Sequence, residues 1–202
     1  MPLTFKIVKI NPDYCDYLRK YDSKVYINSN NKITRPFVGI LFQIDNMEYY
    51  APLSSPKPKH KKMSNTIDFL KLDNGNLGAI NFNNMIPVTQ NNYVLENLQK
   101  ANFSSIQEAK YINLEKQQLK WLNSFYYQVK NKAEKLYKLF NQNKLNANIR
   151  KRCCNFPLLE EKCKEWEEIQ NLLPTFKYIK NEDDLFYIYD ELENKDNFDR
   201  TR

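Results

Sequence analysis

Ser54-Ser55-Pro56-Lys57-Pro58-Lys59-His60-Lys61-Lys62 gathers two hydroxyls, four lysines and the chain's only histidine within nine residues, stiffened by two prolines. Ammonium groups held on a restricted turn suit a phosphodiester. They can stabilise the added charge of a pentacoordinate phosphorane without first rearranging. On spacing alone the same run also reads as a solvated lysine-rich loop. Tyr14, Tyr17, Tyr21, Tyr49 and Tyr50 offer rings that could stack on bases, although aromatics at helical or strand spacing also build cores.

The residue counts close several other chemistries. With His60 as the single imidazole, a two-histidine acid/base ribonuclease is excluded and a zinc site is poorly supplied. No nucleophile-elbow glycines surround either serine, which leaves little for a Ser-His-Asp triad. Gly39, Gly75 and Gly78, the only glycines, cannot form a phosphate-cradling loop or a dinucleotide fingerprint. No cofactor and no metal are expected. Cys15, Cys153, Cys154 and Cys163 match neither a disulfide framework nor paired zinc-ligand spacing, and are expected as buried thiols.

Charge divides the chain. Residues 1–157 carry 24 Lys/Arg against 11 Asp/Glu, whereas residues 158–202 carry 7 against 13. A basic body of this kind is the electrostatic footprint of a polyanion binder. No apolar run is long enough for a membrane span, and the first residues lack a signal peptide's apolar stretch. A cytoplasmic protein with no membrane partner is expected.

The elements that must position the serine-lysine run are legible as follows. Leu3 to Ile10 alternates like a half-buried strand, and Asn11-Pro12-Asp13 opens a helix over 12–22. Val25 to Ile33 reads as a loop ending at Thr34-Arg35-Pro36. Phe37 to Ile44 and Met47 to Leu53 form a hairpin about Asp45-Asn46. Pro52 and Pro56 end the second strand near Leu53, which delivers Ser54 onto a loop. Strands follow at Ile67–Leu72, Leu77–Phe82 and Met85–Val88. These compose a small twisted antiparallel sheet or partly closed barrel. Residues 105–143 predict one long helix, or two with a break near Asn131, and Pro157–Leu172 another. Beyond Pro174, a strand or short helix with Tyr178, Phe186, Tyr187 and Tyr189 lies among acids, and the last ten residues read as frayed. The organisation is a single α+β domain over 1–180, with strands over about 3–90 and helices over about 94–172, followed by an acidic tail at 181–202.

Phe37-Val38-Gly39-Ile40, Tyr50-Ala51-Pro52-Leu53-Ser54-Ser55-Pro56-Lys57, Leu77-Gly78-Ala79-Ile80-Asn81-Phe82 with Met85-Ile86-Pro87, and Cys154-Asn155-Phe156-Pro157-Leu158-Leu159-Glu160-Glu161-Lys162 together resemble the ToxN/AbiQ family of type III toxin–antitoxin ribonucleases. The resemblance runs in order from residue 3 to about 168 and omits the acidic tail. It implies a barrel-like core related to the Kid/MazF toxins with long helices packed on it. It also implies metal-independent endoribonuclease activity on single-stranded messenger or phage RNA, leaving 2′,3′-cyclic phosphate and 5′-hydroxyl ends. Inhibition by a repeat-derived, pseudoknotted antitoxin RNA follows from it, within a cyclic toxin–RNA assembly whose protein alone is a monomer or weak dimer.

By the same resemblance Ser55, Ser54 and Lys57 are catalytic, with Ser55 ranked first. Arg35 stands where relatives carry a lysine, so the cation is kept while its geometry differs. Tyr14, Lys59, His60, Lys61 and Lys62 are expected to bind RNA. The general base is open between Lys57 and a tyrosine, with His60 a candidate acid. Two rivals stand beside this reading: a non-catalytic RNA-binding or regulatory protein, and a nucleophilic hydrolase using Ser55.

Overall fold

The computed structural model describes residues 4–26, 35–99 and 102–176, with side chains through 171. The first strand, β1 (Lys6–Ile10), buries Ile7, Val8 and Ile10 and so is covered on both faces rather than the one that alternation implied; Leu3, expected to begin it, lies outside the described residues. Asn11 then caps α1 (Pro12–Tyr21), its side chain accepting from the Asp13 amide at 2.9 Å. Pro12 sits at the start of this helix, where a missing N–H costs nothing. Tyr14, Cys15, Tyr17 and Leu18 turn inward.

The strand expected over 37–44 is two pieces, β2 (Phe37–Gly39) and β3 (Gln43–Ile44). At the end of β2 a Cβ on Gly39 would lie 2.5 Å from the Tyr50 ring, so the chain passes the ring at a point where only glycine fits. The hairpin turn is at Asp45-Asn46 as expected, with Asp45 at φ 50°. It leads into β4 (Met47–Ser54), every residue of which is buried.

β4 is the hub of an antiparallel sheet. One edge pairs with β3 and β2, and the other with β7 (Ile86–Val88) and β6 (Ala79–Asn81). β5 (Phe69–Lys71) pairs with β6, and β1 joins β2 to β8 (Tyr93–Leu95). The order β5-β6-β4-β2-β1-β8 is open, with β3 and β7 on β4. β8 lies where the sequence reading already turned to helix. Its Val94 and Leu95 are exposed and lack the alternation that would mark a strand.

Three differences from the sequence reading bear on the site. Ser54 is the last residue of β4 and buried, rather than a loop residue: its pairing with Ala79 extends the ladder one position past the proline-limited end. Pro58–Lys62, expected as loop, is a single-turn helix, α2. The long helix divides at Phe125 (φ −116°, ψ 30°), not near Asn131, giving α3 (Ile106–Ser124) and α4 (Tyr126–Asn141).

α5 (Ala147–Arg152) and α6 (Phe156–Phe176) follow. Between them the Cys154 amide donates to the Asn83 carbonyl at 2.7 Å and the Asn155 amide to Asp22 Oδ2 at 2.7 Å. Glu160 Oε1 accepts from the Tyr49 and Tyr137 hydroxyls at 2.6 and 2.7 Å, pinning the start of α6 to sheet and helix together. All four cysteines are buried and none is in a disulfide; burial pushes Cys15 and Cys153 up to about 12, which makes them poor nucleophiles.

Backbone contacts separate Met1–Cys163 from Lys164–Arg202. The described part of the second unit is the remainder of α6. The acidic tail at 181–202 and the aromatics Tyr178, Phe186, Tyr187 and Tyr189 lie outside the described residues. Among the described residues, no helix is long and apolar enough to cross a membrane.

Candidate active site

Antiparallel register assembles the site. Phe37 pairs with Pro52, so continuing the two strands outward sets Arg35 across from Ser54; the Leu53 amide bonded to the Pro36 carbonyl at 2.9 Å carries the pairing that far. On the other edge Ser54 pairs with Ala79, which makes Asn81 its same-face diagonal neighbour. The consequence is a pair of donors on one hydroxyl. Arg35 Nη1 lies 3.3 Å and Asn81 Nδ2 3.0 Å from Ser54 Oγ. A serine hydroxyl offers two lone pairs and one proton. With both lone pairs engaged, the Ser54 proton is what remains to be donated to a further acceptor.

Arg35 is held from below by Tyr26, whose ring centroid is 3.4 Å from the guanidinium carbon. Burial draws its pKa down, with Tyr26 and Tyr111 acting the other way; a guanidinium stays charged through such a change. The backbone behind Ser54 is clamped too. Gln118 Nε2, on α3, donates to the Leu77 carbonyl at 2.7 Å and reaches the Ser54 carbonyl at 3.5 Å. Gly78, at φ +91°, comes so close that a Cβ there would lie 1.9 Å from the Ser54 carbonyl oxygen.

Ser55, Pro56 and Lys57 follow directly and are exposed, so the strand end passes from a hydrogen-bonded hydroxyl to a solvent-facing hydroxyl and a cation within four residues. Lys59, Lys61 and Lys62 are exposed on α2. His60 is not with them. It is 3% exposed, its ring 6.0 Å from that of Phe69 and its backbone against Gly75. Burial and the neighbouring Lys57 and Lys59 lower its pKa, which keeps the imidazole neutral at pH 7. Tyr14 is likewise fully buried, and its hydroxyl donates to the Pro87 carbonyl at 2.7 Å. These placements correct the expectation of direct RNA contact for Tyr14 and His60: both rings are enclosed and act as supports. Tyr49 and Tyr50 are also fully buried.

Sequence reading passed over Asn81, Gln118, Tyr111 and Glu115. Gln118 and Glu115 carried a signal. The buried residues of α3 are Ile112, Glu115, Gln118 and Leu122, so two polar side chains occupy the apolar stripe of an amphipathic helix, where they need a reason to be.

Glu115 is fully buried, and among the described residues its carboxylate has the Tyr111 hydroxyl as a nearby donor but no close hydrogen bond. Burial, then Glu96, raise its pKa to about 7, against the pull of Lys9 and Tyr111. Lys9 is itself engaged with Glu96, at 2.7 Å. A carboxyl whose folded pKa exceeds its unfolded value destabilises the fold as pH rises from the unfolded pKa to the folded one, and most above it. Relative to Glu115→Gln, the parent is therefore expected to lose stability between about pH 4.5 and pH 7, by up to roughly 3 kcal/mol at the usual ~1.4 kcal/mol per pH unit. Urea melts of both proteins at pH 5 and pH 8 measure this; a difference that does not change with pH contradicts it.

The open antiparallel sheet with helices packed against it and the serine-lysine strand end define a class, and comparison agrees. A family model, Toxin ToxN, type III toxin-antitoxin system, matches residues 6–164, and the chain belongs to that family. Among its relatives, the endoribonuclease ToxN of Bacillus thuringiensis subsp. kurstaki is 34% identical over 167 residues, covering 81% of this chain and 84% of the relative. The endoribonuclease ToxN of Pectobacterium atrosepticum is 30% identical over 169 residues, covering 80% and 93%. A solved type III toxin–antitoxin structure, described as showing selective toxin inhibition by a non-coding RNA pseudoknot, superposes with a TM-score of 0.70 at 32% identity, over 82% of this chain and 99% of that one.

Proposed function

We propose that this chain is the endoribonuclease toxin of a type III toxin–antitoxin, phage abortive-infection system. In this reading it cuts single-stranded messenger or phage RNA in the cytoplasm until a repeat-derived pseudoknot RNA occupies its groove in a cyclic assembly. Residues 1–180 form the endoribonuclease domain and 181–202 an acidic appendage. The observation that carries the reading is the Ser54 hydroxyl, held by Arg35 and Asn81 at the strand end that leads to Ser55 and Lys57, in a chain whose relatives over the same stretch are endoribonucleases.

The chemistry follows from what the site can donate. The RNA 2′-hydroxyl gives up its proton as it attacks the adjacent phosphorus, the bond to the 5′-oxygen breaks, that oxygen takes up a proton, and a cyclic phosphate and a 5′-hydroxyl result. The substrate supplies the nucleophile, so neither an activated water nor a covalent enzyme intermediate is required. Ser54 donates its proton to a non-bridging oxygen, with Arg35 behind it lending charge through that hydrogen bond. Ser55 and Lys57 act from the exposed side, the hydroxyl orienting the phosphate and the ammonium offsetting the phosphorane charge. An ordinary serine is too weak a base to take the 2′ proton at pH 7, and the enclosed His60 is not placed to return one.

The test is cleavage of an unstructured RNA by purified protein in excess EDTA, with both product ends identified. Cyclic phosphate and 5′-hydroxyl ends are expected. Binding without cutting, in buffers with or without divalent metal, would establish the rival RNA-binding module instead.

A further inference from the structure

Immediately beyond Ser55, α2 and the turn at Gly75-Asn76 enclose a groove of about 500 Å³, with Pro56, Lys57, Pro58, Lys61 and Lys62 on one wall and Gly75 and Asn76 on the other. Three lysines line it, their stems and the two prolines making most of the wall apolar, and no acidic residue lines it. The volume lies within the roughly 300–1,000 Å³ range of small-ligand sites.

The wall is rigid for identifiable reasons. His60 is buried on the opposite side of the single helical turn, and the Met63 amide closes the turn on the Lys59 carbonyl at 3.0 Å. Gly75, at φ +94°, lets the facing backbone come near enough that a Cβ would sit 3.0 Å from the His60 carbonyl carbon. Pro58 and Lys62, four apart, share one face of the turn, Lys61 lies beside them, and Lys57, the extended residue that caps α2, adjoins the same groove. Lys59 is exposed but does not line the groove.

We propose that this groove is a backbone-phosphate subsite for the RNA strand. It seats the phosphodiester next to the scissile one between Lys61 and Lys62 on α2 and the second hydrogen of the Asn76 side-chain amide opposite, whose Nδ2 also donates to Asp73 Oδ2 at 3.2 Å, with Lys57 shared between the two phosphates. The proposal rests on the endoribonuclease reading and adds to it a register: the strand leaves the Ser54-Ser55 end along α2. It also divides the lysine run into residues that grip RNA in a defined place, Lys61 and Lys62, and one that contributes only its general charge, Lys59.

The experiment uses full-length protein and an RNA oligonucleotide with a 2′-deoxy sugar at the cut position, so that affinity is read independently of cleavage. Each of the two phosphates on either side of that position is replaced in turn by a neutral methylphosphonate. Binding is measured to the parent and to the Lys61→Ala/Lys62→Ala variant across a salt series. One replacement is expected to weaken parent binding about tenfold. The double variant should lose a similar factor, with its salt slope shallower by about one to two, and should lose nothing further when that same phosphate is neutralised. Asn76→Asp, which sets an anion on the opposite wall, should weaken binding without removing a lysine.

Losses from the double variant and from methylphosphonate that simply multiply at every position would overturn the subsite, as would unchanged affinity of the double variant. Weakening of the parent and variant by inorganic phosphate alone, with no preferred RNA position, would overturn it in favour of a free-anion site. Failure of the parent to cut unmodified RNA would sink the endoribonuclease reading and leave these binding results standing on their own.

Discussion

Ser55→Ala is expected to lower RNA cleavage by roughly 10²–10³-fold, the usual cost of removing one donor aimed at developing charge, while leaving RNA affinity within a few-fold. Ser55 is exposed and no hydrogen bond within the described residues engages its hydroxyl, so the fold does not depend on it. Its loss should appear in single-turnover rates at saturating RNA and not in thermal stability. Ser54→Ala should show a different signature. It leaves the Arg35 and Asn81 donors, at 3.3 and 3.0 Å, without their shared acceptor; both are half-buried, so the cost should lie at the low end of the ~1–3 kcal/mol of an unpaired buried donor. Cleavage and stability should fall together in that variant. If Ser55→Ala cuts at the parent rate, the exposed hydroxyl has no part in the reaction and the catalytic burden moves to Ser54, Arg35 and Lys57.

Gly78→Ala carries the largest expected effect on the fold. A Cβ there would lie 1.9 Å from the Ser54 carbonyl oxygen and 2.9 Å from the Ser55 carbonyl carbon. These are backbone atoms within or next to a paired strand, so no side-chain rotation relieves the overlap. The residue also holds φ +91°, which an L side chain adopts only with strain. A loss of about 3–5 kcal/mol is expected, together with displacement of the strand end from Gln118, whose bonds to the Leu77 and Ser54 carbonyls hold it at 2.7 and 3.5 Å. Chemical denaturation and cleavage assays read the two consequences. Gly75→Ala provides the comparison: it shares the positive-φ strain, at φ +94°, but its Cβ would only meet the His60 carbonyl carbon at 3.0 Å rather than overlap a backbone oxygen, so its loss should be clearly smaller. Equal and mild effects at both glycines would show that the Ser54-Ser55 backbone is not constrained from behind.

Much of this arrangement could be read from residue order, for physical reasons that differ by element. The hairpin was legible because Asp45-Asn46 tolerate the positive φ that Asp45 adopts, at 50°, between two β-rich runs. Strands β5, β6 and β7 fall inside the runs expected for them, because short apolar stretches bounded by turn residues have few other uses. β8 was invisible, since an edge strand with exposed Val94 and Leu95 shows no two-residue period. The break at Phe125 carries no proline or glycine to announce it.

At the site, residue types singled out the serine-lysine run and the resemblance assigned its members their roles, while its supports depended on distant pairing. Asn81 reaches Ser54 only through the β4–β6 register. Gln118 does so from a helix that lies 64 residues further along the chain. Tyr14 was placed at the RNA by the resemblance and His60 by its position in the lysine run, although the three- and four-residue spacing of Tyr14, Tyr17 and Leu18 already marks an inward helix face. In both cases a polar aromatic on an inward face serves the core.

The central claim is that the substrate's own 2′-hydroxyl is the nucleophile, helped by hydroxyls and cations at the end of β4. The most direct measurement is the cleavage rate of an RNA oligonucleotide with a single 2′-deoxy sugar at the cut position, against its all-ribose counterpart, with binding of both measured alongside. Loss of cutting at that position, with affinity retained, is the predicted result. Cutting of the deoxy-substituted linkage at the ribose rate would require a nucleophile from water or from the protein, and would contradict the mechanism proposed here.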